Sequence, residues 1–178
     1  MKACNVYKIY FDTCILSRFT DLRISVRDAQ SLPLLREIQG VQIVVSSKVK
    51  QELKEVPNPI RNPMLQFLYM CFQEIPDRIL ETPSLGCYGS ARYGSTMYGG
   101  GGGWVHPALQ GLREIFDSAD AEHIFLAAED GCDYFVTLDE RSILSRVRAN
   151  QRGVESLCGK MRFGSPAEVL ALIEGSCP

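Results

Sequence analysis

Long apolar runs are missing from this sequence, and so is a secretion signal. No stretch approaches the roughly 18 apolar residues of a membrane-spanning helix. The first residues, MKACNVYKIYF, have no apolar core followed by a small-residue cleavage site. We therefore expect a cytoplasmic protein with no membrane partner.

Cysteine motifs are also missing, although cysteine itself is not rare. The chain has seven cysteines, an odd number, and no CxxC pair. A disulfide framework needs paired cysteines, and a zinc ribbon needs CxxC pairs. The pattern fits neither, so we predict reduced and mostly buried thiols, as is usual in a cytosol.

The sequence has little excess charge of either sign, with a formal net charge of −2. The exception is residues 141–162, where six basic residues face one acid, Glu155. A partner attracted by positive charge would meet this segment first. Arg141, Arg146 and Arg148 are therefore candidate contacts for an RNA backbone, and a solvated helix face is the alternative.

Short apolar runs and helical periodicity alternate along the chain. Three runs are rich in β-branched and aromatic residues, like buried parallel strands: Val6 to Phe11, Val41 to Val45 and Tyr134 to Leu138. Weaker strand patterns occur at Glu74-Ile75 and at Met161 to Phe163. We therefore predict a three-layer α/β/α fold with a mostly parallel central sheet of four to five strands.

Helical periodicity occupies most of the remaining chain. The predicted helices cover Ser25 to Gln39, Ser46 to Val56, Met64 to Gln73, Pro107 to Phe116, Asp117 to Asp130, Arg141 to Arg148, and the end of the chain from Ser165. Gly131 is predicted to end the fifth of these helices in a left-handed conformation. A length of 178 residues suits one domain, residues 1–178.

A Gly/Tyr-rich insertion interrupts this domain at about residues 82–106. Its composition cannot bury a core, so we predict a loop rather than a second domain. Stacking and donor groups there are Tyr88, Arg92, Tyr93, Tyr98, Trp104 and His106. The insertion is either an arm that contacts RNA or a solvated loop.

Four acids occupy positions that a parallel sheet brings together. Asp12 and Asp139 follow predicted strands, at the edge where open α/β sheets bind ligands. Glu52 lies on the helix after the second strand, and Asp120 opens the helix that precedes the strand of Asp139. Alternatives are a helix cap for Asp12 and a solvated helix charge for Glu52.

Clustered carboxylates repel one another and raise each other's pKa unless a cation is present. Oxygen ligands suit Mg²⁺ or Mn²⁺, and such ions promote phosphodiester hydrolysis. The sequence therefore predicts a metal site. We expect Asp12→Asn and Asp139→Asn to abolish phosphodiester cleavage. Folding should stay intact or improve, because removal of one acid relieves the repulsion between carboxylates.

Four further residues lie beside these acids. Thr13 and Thr137 are candidates for hydrogen bonds to a carboxylate or a phosphate, and ordinary strand propensity is their alternative. We expect His123 to be a packed core residue that points away from the strand ends. Asp117, or the neighbouring Ser118, is expected to cap its helix.

The sequence around the acids resembles the PIN-domain superfamily. YFDTCIL contains an Asp-Thr after the first strand, and DSADAEHIFLAAEDGCDYFVTLD contains the Asp-Ala-x-His helix and the Phe-hydrophobic-Thr-x-Asp strand end. The resemblance covers about residues 7–173. It implies a Mg²⁺- or Mn²⁺-dependent ribonuclease related to VapC-type toxins, whose metal-binding and catalytic residues are Asp12, Glu52, Asp120 and Asp139. Cys14 stands where many members have asparagine.

Three functions are compatible with these residues. The first is an endoribonuclease, in one form the toxin of a toxin–antitoxin pair, with RNA, an antitoxin protein and a second copy of the chain as candidate partners. The second is a catalytically weak or inactive PIN-like module that binds RNA or a protein. The third is a haloacid-dehalogenase-like phosphatase or a receiver domain, but Cys14 replaces the second Asp of the phosphatase and no strand-end lysine suits a receiver.

Overall fold

Five parallel strands form one sheet in the computed structural model, which describes residues 6–75 and 106–176. The strands are β1 (Tyr7–Phe11), β2 (Val41–Ser46), β3 (Gln73–Ile75), β4 (Tyr134–Val136) and β5 (Arg162–Gly164). Their order is β3-β2-β1-β4-β5, and all four pairings are parallel. The predicted α/β/α fold with a mostly parallel sheet is confirmed.

The central pairing of β1 with β4 aligns the residues that follow the two strands. Phe11 lies opposite Val136, so the residues after each strand meet at the same level. The backbone N–H of Asp12 donates to the carbonyl oxygen of Val136 at 3.1 Å, and that of Thr137 donates to Gly164 at 3.1 Å. Asp12 and Thr137 are therefore neighbours at the carboxyl edge of the sheet.

Helices cover the sheet. In the described residues they are α1 (Thr13–Thr20), α2 (Val26–Glu37), α3 (Ser47–Lys54), α4 (Arg61–Met70), α5 (Pro107–Ile115), α6 (Ser118–Glu129), α7 (Ser145–Ala149), α8 (Gln151–Cys158) and α9 (Pro166–Ser176), with a π-helical turn at Glu140–Leu144 before α7. Helix α2 packs against α9, α5 packs against α6 and α8, and α1 packs against α3 and α4. None of the helices in the described ranges is long and apolar enough to cross a membrane.

Helix α6 is buried on more than one side. The apolar spacing of Ala121, Ile124, Phe125 and Ala128 predicts one inward stripe. The first three are nearly inaccessible and Ala128 is half-buried, but Leu126 and Ala127 are buried as well. The helix therefore lies deep in the core rather than at its surface. Its end is as predicted, since Gly131 follows it with a φ of 70°, a conformation that glycine adopts without steric cost.

Several predicted element bounds were wrong. Helix α1 was not predicted, because its first residues, TCIL, continue the β-branched and apolar pattern of β1. Helix α4 ends at Met70, earlier than predicted, and Gln73 belongs to β3. Strand β4 ends at Val136 instead of Leu138, because the Thr137 hydroxyl accepts a hydrogen bond from the N–H of Asp139 at 3.0 Å and the chain turns there.

The basic segment also differs from its prediction. A single helix was expected from Arg141 to Arg148, but the chain forms the π-helical turn, α7 and then α8. The Gly/Tyr-rich insertion predicted at 82–106 lies outside the described residues apart from His106, so its proposed RNA contacts stay predictions. Of the cysteines in the described ranges, all four are free and only Cys132 and Cys158 are buried.

Candidate active site

Asp12 is buried at the carboxyl edge of the sheet. It occupies the N-cap position of α1, but its side chain makes no capping hydrogen bond. Instead, its Oδ2 accepts a hydrogen bond from Thr137 Oγ1 at 2.7 Å. The cap alternative for Asp12 is therefore wrong, and Thr137 orients the carboxylate as its position suggested.

Cys14 completes the surroundings of Asp12. Its Sγ lies 3.1 Å from Thr137 Oγ1 and accepts from the N–H of Leu138 at 3.1 Å. The single hydroxyl proton of Thr137 goes to Asp12, so the Cys14 thiol donates to Thr137. Burial, followed by the charge of Asp12, raises the pKa of the Cys14 thiol, which keeps its proton. Cys14 thus supplies a thiol donor to the hydroxyl that binds Asp12.

Glu52 reaches the same edge from α3. Its Oε2 accepts from Thr13 Oγ1 at 2.5 Å, and its Oε1 lies 2.9 Å from His123 Nε2. Burial opposes its ionisation, yet the hydrogen bonds with His123 and Thr13 and the charge of Lys48 lower the pKa of Glu52. With both oxygens engaged and its side chain 30% exposed, Glu52 is not a solvated helix charge.

His123 is 2% exposed, which confirms the packed core residue. The expectation that it points away from the strand ends was wrong, because its Nε2 contacts Glu52. The reason is the deep burial of α6, which turns this face of the helix towards β1. Burial opposes protonation of the imidazole, but the hydrogen bond with Glu52 and the charges of Asp12 and Glu52 raise the pKa of His123.

Asp120 begins the inner face of α6 and is half-buried. Burial raises the pKa of Asp120, and the charges of Asp12, Asp139 and Asp117 raise it further, against a hydrogen bond from the Ser142 hydroxyl that lowers it. The carboxylates are therefore close enough to repel one another. In the folded protein the negative charge at this edge is only partly compensated.

The pKa of Asp139 is shifted in the opposite direction from that of Asp120. Asp139 Oδ1 accepts from the backbone N–H groups of Arg141 at 3.0 Å and Ser142 at 2.8 Å, and so caps the π-helical turn. Although burial opposes ionisation, these hydrogen bonds and the charge of Arg18 lower the pKa of Asp139. Asp139 is thus a helix cap as well as a member of the acidic edge.

Asp117 does not act as predicted. It stands at the N-cap of α6 without a side-chain capping bond. Its Oδ1 instead accepts from Arg146 Nη1 at 3.1 Å. The expected side-chain cap is absent because the arginine from α7 draws the carboxylate away from the first turn of α6.

Two of the three arginines predicted to hold RNA are engaged within the protein. Arg146 donates to Asp117 and to the carbonyl oxygen of Ile115. Arg148 pairs with Glu140, and its Nη2 lies 3.9 Å from Glu168. Intramolecular pairing leaves less positive charge for a phosphate than the sequence suggested. Whether these residues contact RNA stays a prediction.

Sequence reasoning missed Arg18. It is exposed on α1, and its charge acts on Asp139. It follows Cys14 by four residues, so both side chains lie on the face of α1 that meets the end of β4. The signal was hidden because α1 itself was not predicted.

The donor chemistry of this edge is all oxygen, which suits Mg²⁺ or Mn²⁺. Within residues 6–75 and 106–176, however, no group of three or more His, Cys, Asp or Glu side chains is arranged to hold a metal ion. Magnesium commonly binds through one or two carboxylates, with waters and substrate phosphates as its other ligands. Asp12 with Asp120 or Asp139 fits that mode of binding.

Comparisons with family models, with curated proteins and with solved structures found no match for this chain. The function must therefore be inferred from the residues themselves. They form an acidic edge on a parallel sheet, with repelling aspartates on one side and a buried hydrogen-bonded histidine behind the glutamate.

Proposed function

We propose that this chain is a Mg²⁺- or Mn²⁺-dependent endoribonuclease that hydrolyses RNA phosphodiester bonds in the cytoplasm. The observation that carries the proposal is the meeting of Asp12 and Asp139 at one edge of the sheet, where the Thr137 hydroxyl donates to Asp12 at 2.7 Å and accepts from the N–H of Asp139 at 3.0 Å. The charges of both aspartates also raise the pKa of Asp120. Negative charge that is only partly compensated opposes folding, and it is typical of a site that binds a cation when the protein functions.

Each side chain at the acidic edge has its own role in the proposed reaction. Asp12, Glu52, Asp120 and Asp139 would hold the ion. Glu52 is held near Asp12 by its hydrogen bond from Thr13, the next residue in the chain. When bound, the ion would neutralise phosphate charge and orient a water for hydrolysis. Thr137 fixes the rotamer of Asp12, and Arg18 supplies a cation beside Asp139 for a substrate phosphate.

A second candidate is a PIN-like module that binds RNA or a protein without cleaving. It is favoured by the lack of a three-ligand group in the described part of the chain and by the internal hydrogen bonds of Asp12, Glu52 and Asp139. Those bonds must yield or be shared when an ion binds. An antitoxin protein and a homodimer are further predictions that rest on the family resemblance alone.

Cleavage of labelled RNA separates the two candidates. Wild-type protein and Asp12→Asn are incubated with a single-stranded and a structured RNA, with Mn²⁺ or with a chelator. The nuclease proposal predicts internal cleavage by the wild type only, and only with Mn²⁺. RNA binding without cleavage in every condition would support the non-cleaving module instead, and Mn²⁺-dependent cleavage that survives in Asp12→Asn would show that the active site lies elsewhere.

A further inference from the structure

A row of polar side chains connects the core to the acidic edge. Tyr10 Oη lies 2.6 Å from Ser46 Oγ and 2.7 Å from His123 Nδ1. His123 Nε2 lies 2.9 Å from Glu52 Oε1, which ends the row. Ser46, Tyr10 and His123 are at most 2% exposed, so the row is shielded from water until it reaches Glu52.

For a neutral imidazole, the proton positions in this row follow from elementary valence. A carboxylate has no proton to give, so His123 donates from Nε2 to Glu52. A neutral imidazole protonated on Nε2 accepts at Nδ1, and the Tyr10 hydroxyl therefore donates to it. Because that hydroxyl has one proton, it accepts from Ser46. Each group in the row donates towards the acidic edge.

The row is anchored where the fold is most constrained. Tyr10 belongs to the central strand β1, and its ring stacks on Phe135 of β4 with centroids 5.2 Å apart and planes 13° apart. Ser46 ends the neighbouring strand β2. Glu52, by contrast, lies near the end of α3, a helix of eight residues, and its two carboxylate oxygens are held by Thr13 and His123.

We propose that Tyr10 and His123 are positioning residues, which hold the Glu52 carboxylate in place through hydrogen bonds that all run in one direction. The effect of this positioning on RNA cleavage rests on the proposed nuclease function, while the direction of the hydrogen bonds does not. Small displacements of a group in an active site commonly reduce rates by large factors, so loss of the His123 bond impairs the site even when Glu52 remains.

Two substitutions of His123 test its two ring nitrogens separately. In His123→Gln the side-chain amide takes the place of Nε2 and still donates to Glu52. In His123→Asn the amide takes the place of Nδ1 and reaches Tyr10 alone. If His123 acts by positioning Glu52, the glutamine variant keeps cleavage within about threefold of the wild type, and the asparagine variant loses about tenfold or more.

A histidine that only fills the core gives a different result. The two variants then lose activity in proportion to their loss of stability, with no advantage for glutamine. Equal activities at equal folded fraction, or higher activity in His123→Asn, would overturn the proposal. The Mn²⁺ concentration for half-maximal cleavage is measured as well, because a misplaced Glu52 raises it and a core defect leaves it unchanged.

A second measurement needs no cleavage. Nitrogen-15 NMR of the ring nitrogens, at a pH where the imidazole is neutral, identifies the protonated nitrogen of each histidine. The chain has two histidines, so His106 serves as the reference in the same spectrum. The proposal requires the proton of His123 on Nε2, and a proton on Nδ1 would overturn it. Absence of cleavage by the wild type would instead contradict the proposed nuclease alone.

Discussion

His123 Nε2 lies 2.9 Å from Glu52 Oε1, although 71 positions separate the two residues in the sequence. The contact joins the deeply buried helix α6 to an acid on the helix that follows β2. Thr13, the neighbour of Asp12, binds the other oxygen of Glu52 at 2.5 Å. The two contacts together explain how a glutamate on the short helix α3 can belong to the same edge as Asp12.

Asp139→Ala is expected to destabilise the protein, contrary to the simple expectation that removal of any one acid relieves repulsion. The Asp139 carboxylate caps the π-helical turn, and loss of such a cap costs about 1 kcal/mol. Its folded pKa is lowered, so its contribution is present above the unfolded value of 3.8 and is lost as pH falls through the folded value. Urea unfolding at several pH values measures the difference. An unchanged midpoint at neutral pH would contradict this role.

Asp120→Asn is expected to act in the opposite direction. The folded pKa of Asp120 is raised above 3.8, so ionisation of this group costs the folded state stability as pH rises from the unfolded pKa to the folded one. The variant should therefore match the wild type in acid and be more stable at neutral pH.

Thermal unfolding with and without Mn²⁺ tests whether Asp120 is a metal ligand. The ion should stabilise the wild type more than the variant, and equal stabilisation of both would argue against Asp120 as a ligand.

Tyr10→Phe is expected to destabilise the protein by about 1–3 kcal/mol, because it leaves the buried Ser46 and His123 without their shared partner. Tyr7→Phe is the matched control. Tyr7 lies on the same strand, and its hydroxyl has no hydrogen bond within the described part of the chain. Denaturant unfolding of both variants measures the difference, and equal losses would indicate that the Tyr10 hydroxyl contributes nothing specific.

Arg18→Ala is expected to weaken RNA binding and to reduce the salt slope of binding by about one unit, as loss of a single phosphate contact does. Binding is measured by fluorescence anisotropy in an Asp12→Asn background, which prevents cleavage. Arg36→Ala is the control, because this exposed arginine lies at the end of α2, just before β2 begins and hence at the opposite edge of the sheet. Equal effects of the two substitutions would show that Arg18 makes no special contact.

The sequence predicted the sheet because central parallel strands are apolar on both faces. The runs around Tyr10 and Phe135 could be recognised for that reason, and the acids that follow them lie at one edge by topology. The approach of His123 to Glu52 could not be predicted, since it depends on how α6 rotates in the core. The ion pair of Arg146 could not be predicted either, because its partner, Asp117, lies in a distant segment that α7 meets only in the folded chain.

Binding of Mn²⁺ tests most directly whether the carboxylates from separate elements act together on one ion. The electron paramagnetic resonance signal of free Mn²⁺ is followed while wild-type protein, Asp12→Asn and Asp120→Asn are added. The wild type should remove Mn²⁺ from solution, and each variant should bind it at least about tenfold more weakly. Equal binding by all three proteins, or none by the wild type in the presence of RNA, would contradict a shared metal site at the carboxyl edge of the sheet.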